Sequence, residues 1–151
     1  LLLAFLDLSY LMIHHTTLLR PRYADTDQMK FVYYGKYFEY FEQARSELLR
    51  AIGITYSEIE SHGYLLPVIE ATAKYRRPVH YDEEIRIVTT MPEMPVARIR
   101  LEYRIYRGDE PEPVAEGYTV HSFISAATGK PARAPQFFLH VVEDAMKSSR
   151  G

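Results

Sequence analysis

The chain has 151 residues, 47% hydrophobic and 25% charged, which is enough apolar material for one ordinary globular domain with its own core. It contains no cysteine, which excludes disulfides, thiolate catalysis and zinc–thiolate sites. A formal net charge of −2 excludes a global pull toward nucleic acid or anionic membrane, so any anionic ligand has to be met by a local basic patch.

The first thirteen residues, LLLAFLDLSYLMI, are apolar but fall short of the roughly 20 residues that span a bilayer. No Lys or Arg precedes the run and no small-residue cleavage site closes it, which speaks against a secretory signal. Met12 is well placed to be an initiator. Residues 1–11 are therefore expected to be an extension ahead of a single domain over residues 12–151. An extra element packed on the domain, or a membrane anchor, are the alternatives. His15 to Tyr23 reads as extended. From Tyr37 the period changes: Tyr37, Tyr40, Phe41, Ala44, Leu48 and Ile52 recur at helical spacing, with Glu39, Glu42, Arg45, Glu47 and Arg50 between them. Gly53 is placed to end that helix.

A short helical turn is expected over residues 56–61, closed by Gly63. Extended segments follow. Leu65 to Tyr75 puts Pro67, Ile69, Ala71, Ala73 and Tyr75 on one face. Residues 84–91 alternate Ile85, Ile87 and Met91 against Arg86 and Thr90. Residues 97–106 give the cleanest strand, with Ala97, Ile99, Leu101, Tyr103 and Ile105 against Arg98, Arg100, Glu102 and Arg104. Gly108 and Asp109 mark a turn, and residues 114–124 form the last long strand. Thr128 to Pro131 is a polar turn, and residues 136–147 a closing amphipathic helix. No repeat or linker divides the chain. One long helix beside a run of antiparallel strands is an α+β layer arrangement, with the helix along the concave face of a curved sheet.

The stretch with chemistry in it is RYADTDQMKFVYYGKYFEY, residues 22–40. Asp25 and Asp27 stand in a loop just before the long helix, where a carboxylate suits the helix dipole and Asp is a common cap. Taken alone, the pattern reads as one of the two merely capping the helix, and two Asp two residues apart without His or Glu beside them do not make a metal site.

The wider stretch resembles the 4-hydroxybenzoyl-CoA thioesterase-like branch of the hotdog superfamily, including the Tol-Pal-associated acyl-CoA thioesterases. The resemblance runs through Tyr23, Asp25, Thr26 and Asp27, then Val32, Tyr33, Tyr34, Gly35 and Tyr37, then Phe41, Glu42 and Arg45. It continues in Leu66-Pro67-Val68, Tyr75-Arg76-Arg77-Pro78, Tyr81-Asp82-Glu83 and the run from Thr128 to Pro135. It covers the chain from about residue 15 onward. Lys30 stands where that family usually has Gly, Tyr34 where many members have His, and Lys36 where Asn is usual.

This resemblance implies a hotdog fold and hydrolysis of an acyl-CoA thioester to a free acid and CoA. Asp27 is then the catalytic carboxylate, attacking the thioester carbonyl or activating water. The backbone N–H of Tyr34 is the candidate oxyanion donor, Gly35 admits the substrate closely, and Tyr23 joins the substrate site. Arg76, Arg77, Lys130 and Arg133 are candidates for the CoA phosphates, each weighed against a solvated basic surface. Asp25 is expected to be the control, with Asp25→Asn much milder than Asp27→Asn. No cofactor or metal is implied, since coenzyme A is part of the substrate. A homodimer, often paired into a homotetramer, with sites between subunits is implied, in the cytoplasm, without nucleic acid and without stable membrane insertion.

The alternative is a non-catalytic acyl-CoA or acyl-carrier binding module on the same fold. A dehydratase of that superfamily needs a His near the helix, where none stands. Arg98, Arg100 and Arg104 read as an exposed strand face, Glu70 as a sheet-edge residue, and Glu42 with Arg45 as a helical pair. Tyr37, Tyr40 and Phe41 read first as core.

Overall fold

The alternation of the C-terminal two-thirds becomes an antiparallel sheet wrapped on one helix. In the computed structural model, which describes residues 13–148, the elements run β1 (Ile13–Leu19), α1 (Lys36–Ile52), α2 (Tyr56–Ser61), β2 (Tyr64–Leu65), β3 (Val68–Tyr75), β4 (Ile85–Met91), β5 (Arg98–Arg107), β6 (Ala115–Ser122), β7 (Ile124–Ser125) and α3 (Gln136–Ser148). The expected extension, residues 1–11, lies outside the described residues. Five strands form one sheet in the order β1-β4-β5-β6-β3, every pairing antiparallel, and β2 pairs with β7 in a small second ladder. This is the hotdog arrangement: a long helix held by a curved antiparallel sheet.

Helix α1 spans the expected residues. It ends at Gly53, whose φ of 105° is left-handed, with the Gly53 N–H returning to Leu49 and Arg50. Its inner face buries Tyr37, Tyr40, Phe41, Ala44 and Leu48 against Ile85 and Ile87 of β4 and Ile99, Leu101, Tyr103 and Ile105 of β5. Each such apolar side chain contributes on the order of 1.5–3 kcal/mol. Phe41 stacks on Tyr103 with ring centroids 4.3 Å apart. It can do so because β6 has no side chain at Gly117. A Cβ there would stand 2.9 Å from the Phe41 ring and collide with the Thr72 carbonyl oxygen of β3.

The extended segment of residues 65–75 is broken. Pro67 separates β2 from β3, as a residue without an N–H does, and an irregularity in register falls between Val68 and Glu70. Ala97 is exposed rather than part of the inner face. Arg45 does not pair with Glu42. Arg45 is 7% exposed, and its guanidinium donates to the hydroxyls of Tyr56 (2.7 Å) and Tyr103 (3.2 Å). Tyr103 and Thr119 share a further bond, and His121 reaches Thr119 at 2.9 Å. Burial, then the nearby Arg45 charge, pulls the His121 imidazole down to about 4.

Candidate active site

The loop before α1 is a closed turn whose geometry fixes each carboxylate. The Lys30 N–H returns to the Asp27 carbonyl and the Asp27 N–H to the Phe31 carbonyl, both at 3.0 Å, while Thr26 and Val32 bridge as in a hairpin. The Asp27 Oδ1 accepts from the Met29 N–H at 2.8 Å, a local side-chain turn that Asp and Asn both favour. That bond uses one carboxylate oxygen. Lys30 closes the turn with φ of 68°, in the left-handed region, which accounts physically for Gly being usual at this position in the resembled family.

Asp25 is placed otherwise. It is 3% exposed. Its carboxylate accepts from the Tyr40 hydroxyl (2.8 Å), the Arg22 N–H (3.1 Å) and the Arg22 guanidinium (3.3 Å), with the Lys36 ammonium at 3.9 Å. Burial works to raise this carboxyl, but the Arg22 N–H, the Tyr40 hydroxyl and the Arg22 charge outweigh it and hold it below its ordinary value. Burial and the bond to Asp25 push the Tyr40 hydroxyl far up in turn. The Asp25 carbonyl also receives the Tyr33 N–H. Asp25 therefore clamps the loop onto the start of α1, a larger duty than a helix cap.

A slot of about 350 Å³ opens beside Asp27. Its walls are Met29, Phe31, Val32, Tyr34, Tyr37, Tyr75 and Pro78, with Arg76 and Arg77 at its rim. Tyr37 belongs to both core and slot, and burial pushes its hydroxyl up to about 12. At the helix start the Lys36 N–H donates to Tyr33, and neither the Tyr34 nor the Gly35 N–H finds an acceptor among the described residues. A carboxylate with one uncommitted oxygen and free amide donors at a helix start, beside an apolar slot that Asp27 and Tyr34 both line, suit attack on a carbonyl compound.

The other expected residues are distributed unevenly. Arg76 pairs with Glu116, and Arg77 with Glu110 at 3.2 Å and with the Glu112 carbonyl at 3.0 Å. Tyr23 is 78% exposed and stands edge-on to Tyr81, away from the slot lining. Gly35 has an ordinary helical φ of −65°, and an added Cβ would meet the Tyr33 ring at 2.9 Å. Its small size thus serves Tyr33 packing. Lys130 and Arg133 are exposed beside β7, beyond the far end of β3 from the slot. Glu70 is exposed on β3 and accepts from the Tyr118 hydroxyl. Among the described residues no cluster of His, Asp or Glu is arranged to hold a metal. Tyr75 is a site residue that the sequence reading misses; the available signal is its place on the face shared with Ala73 at the end of a strand, next to Arg76.

The profile of the thioesterase-like superfamily matches residues 21–142. An acyl-CoA thioesterase of Haemophilus influenzae, YbgC, is 32% identical over 89 residues, covering 58% of this chain and 65% of the relative. A 1,4-dihydroxy-2-naphthoyl-CoA hydrolase of Synechococcus elongatus is 25% identical over 117 residues, covering 76% and 85%. Among solved structures, the DHNA-CoA thioesterase of Staphylococcus aureus superposes with a TM-score of 0.80 at 27% identity, covering 91% of this chain and 93% of that one.

Proposed function

The chain belongs to the thioesterase-like superfamily, and on that premise we propose that it hydrolyses acyl-CoA thioesters, acyl-CoA and water giving a free acid and CoA, at the slot beside Asp27. The observation that carries this is the Asp27 carboxylate, which commits one oxygen to its own turn and lines the same apolar slot as Tyr34, whose N–H has no acceptor among the described residues. The uncommitted oxygen either adds to the thioester carbonyl or takes a proton from the attacking water. As negative charge develops on the carbonyl oxygen, the Tyr34 N–H receives it. The acyl group lies among Tyr34, Tyr37, Tyr75 and Phe31, so an apolar or aromatic acyl chain fits the walls.

The phosphates of CoA fall to Arg76 and Arg77 at the rim. Their present partners, Glu116 and Glu110, are exposed ion pairs of about 0–1 kcal/mol, which a phosphate can displace. The outer edge of β3 has no partner strand among the described residues, and Val68, Ile69 and Tyr75 along it are exposed. Two copies joined there by an antiparallel two-fold lay the start of one β3 against the end of the other. That arrangement carries the partner's Lys130 and Arg133 toward this chain's Tyr75, Arg76 and Arg77. It supports a homodimer with sites between subunits, and a homotetramer by pairing of dimers. No helix among the described residues is long and apolar enough to cross a membrane. We place the protein in the cytoplasm, where acyl-CoA is made and used.

Hydrolysis across a panel of straight-chain and aromatic acyl-CoA thioesters, followed as free thiol release with Asp27→Asn in parallel, tests the reading. Turnover that depends on Asp27 supports it. Tight acyl-CoA binding without hydrolysis across the whole panel replaces it with the binding-module alternative.

A further inference from the structure

We propose that Tyr75 is a positioning residue of the reaction, its hydroxyl orienting the free Gly35 N–H beside that of Tyr34 at the start of α1; this rests on the thioesterase reading above. The two peptides that meet at the Tyr34 Cα are each fixed from the carbonyl side. The Tyr33 carbonyl accepts the Lys36 N–H at 2.9 Å, which sets the direction of the Tyr34 N–H in the same peptide plane. The Tyr34 carbonyl accepts the Tyr75 hydroxyl at 2.9 Å, which sets the direction of the Gly35 N–H. The other donor to the Tyr34 carbonyl is the Tyr37 N–H, at a weaker 3.4 Å. Tyr75 is therefore the main anchor of the Tyr34–Gly35 peptide, and it comes from β3, 41 residues away in the chain.

The rest of the local structure suits that role. The Tyr75 ring packs edge-on against Tyr37 (4.9 Å) and Tyr34 (6.4 Å), so its hydroxyl is held by two rings on the helix side. Burial, then the neighbouring Tyr34, raise the Tyr75 hydroxyl above its ordinary value, so it keeps its proton and stays a donor. A hydrogen bond to the carbonyl end of a peptide polarises it and strengthens the N–H at its other end. Tyr75 also lines the slot, yet its proton is committed to Tyr34. It acts through the Tyr34–Gly35 peptide, whose Gly35 N–H is a second donor to the developing oxyanion beside the Tyr34 N–H.

Tyr75→Phe keeps the ring packing and the strand while removing the hydroxyl alone. In the full chain, kcat should fall about tenfold, the effect of weakening one preorganised donor, with KM, melting temperature and oligomer mass as in the parent. A second measurement reads the geometry directly. An acyl-CoA bound to Asp27→Asn should show its thioester carbonyl stretch displaced to lower frequency. Adding Tyr75→Phe should return it part-way toward the solution value. Unchanged kcat overturns the assignment. So does a loss shared equally by kcat, KM and melting temperature with the carbonyl band unmoved, which marks Tyr75 as a packing tie. Parent hydrolysis that survives Asp27→Asn undiminished is a different failure. It removes the thioesterase site itself, and Tyr75's role goes with it.

Discussion

The Asp25 carboxylate receives a tyrosine hydroxyl, a backbone N–H and a guanidinium inside the fold, whereas the Asp27 carboxylate, two residues on, accepts one bond from Met29 and faces the slot. Each oxygen of Asp25 has a partner, and the group cannot approach a substrate without unmaking the loop. Asp27 has been left half-satisfied by a turn that holds its backbone rigidly. The difference separates two uses of one residue type: a saturated buried carboxylate contributes stability, and an under-committed one at a cavity wall is available for chemistry.

Substitution by Asn should drive the two apart. Asp27→Asn keeps the turn, because Asn makes the same side-chain bond to the Met29 N–H, but removes charge and nucleophilicity. Steady-state assays should show kcat down by at least roughly 100-fold, with the melting temperature within a degree or two of the parent. A melting temperature that drops with activity would erase the contrast.

Acid should expose the buried side. The His121 imidazole sits near 4 in the fold against an ordinary 6.5, so the unfolded chain binds its proton first. That stability is complete above about pH 6.5 and is lost as pH falls toward 4, in all about 3 kcal/mol. Asp25, held below its ordinary value, keeps its contribution above that value and loses it only as pH falls through the lower folded one. Denaturant titrations at pH 7, 5 and 4 check this. Replacing His121 by Gln should flatten the limb between 6.5 and 4, and an unchanged limb would mean that other groups dominate.

Asp25→Asn should invert the first result. Losing the charge that Arg22 and Lys36 surround should cost about 1–3 kcal/mol of unfolding free energy, while turnover per folded molecule falls far less than in Asp27→Asn. Chemical denaturation beside active-site-normalised kinetics distinguishes the two. The smallest effect belongs to the turn that Asp27 opens. Lys30→Gly relieves a left-handed backbone and should add about 1 kcal/mol of stability with kcat nearly unchanged.

Much of this was readable in the chain. The period over residues 37–52 and the alternation of residues 97–106 specify α1 and β5 almost to their ends, because each buries a continuous stripe. The ordered motif from Tyr23 to Arg45 pointed to Asp27. The motif set Asp25 apart as a control, but its duty as a buried clamp was not legible, since the partners that saturate it include Tyr40 on the helix beyond the loop. It paired Arg45 with its helical neighbour, whereas the buried hydroxyls of Tyr56 and Tyr103 gave the guanidinium better acceptors. Tyr75 escaped for the same reason: its decisive bond crosses 41 residues, a separation at which local periodicity carries no information.

The missing side chain at Gly117 makes the sheet thin at one point, and α1 has sunk Phe41 into the dent. Any larger residue there has to lift the helix or spread β3 from β6. The helix leads back to Tyr37 and Tyr34, and β3 ends in Tyr75, so both responses arrive at the same slot from opposite walls. The width of the slot is thus geared to a position on the inner face of the sheet that lies outside its lining. A mutational search for altered acyl selectivity would find residue 117 among its strongest hits while looking in the wrong place.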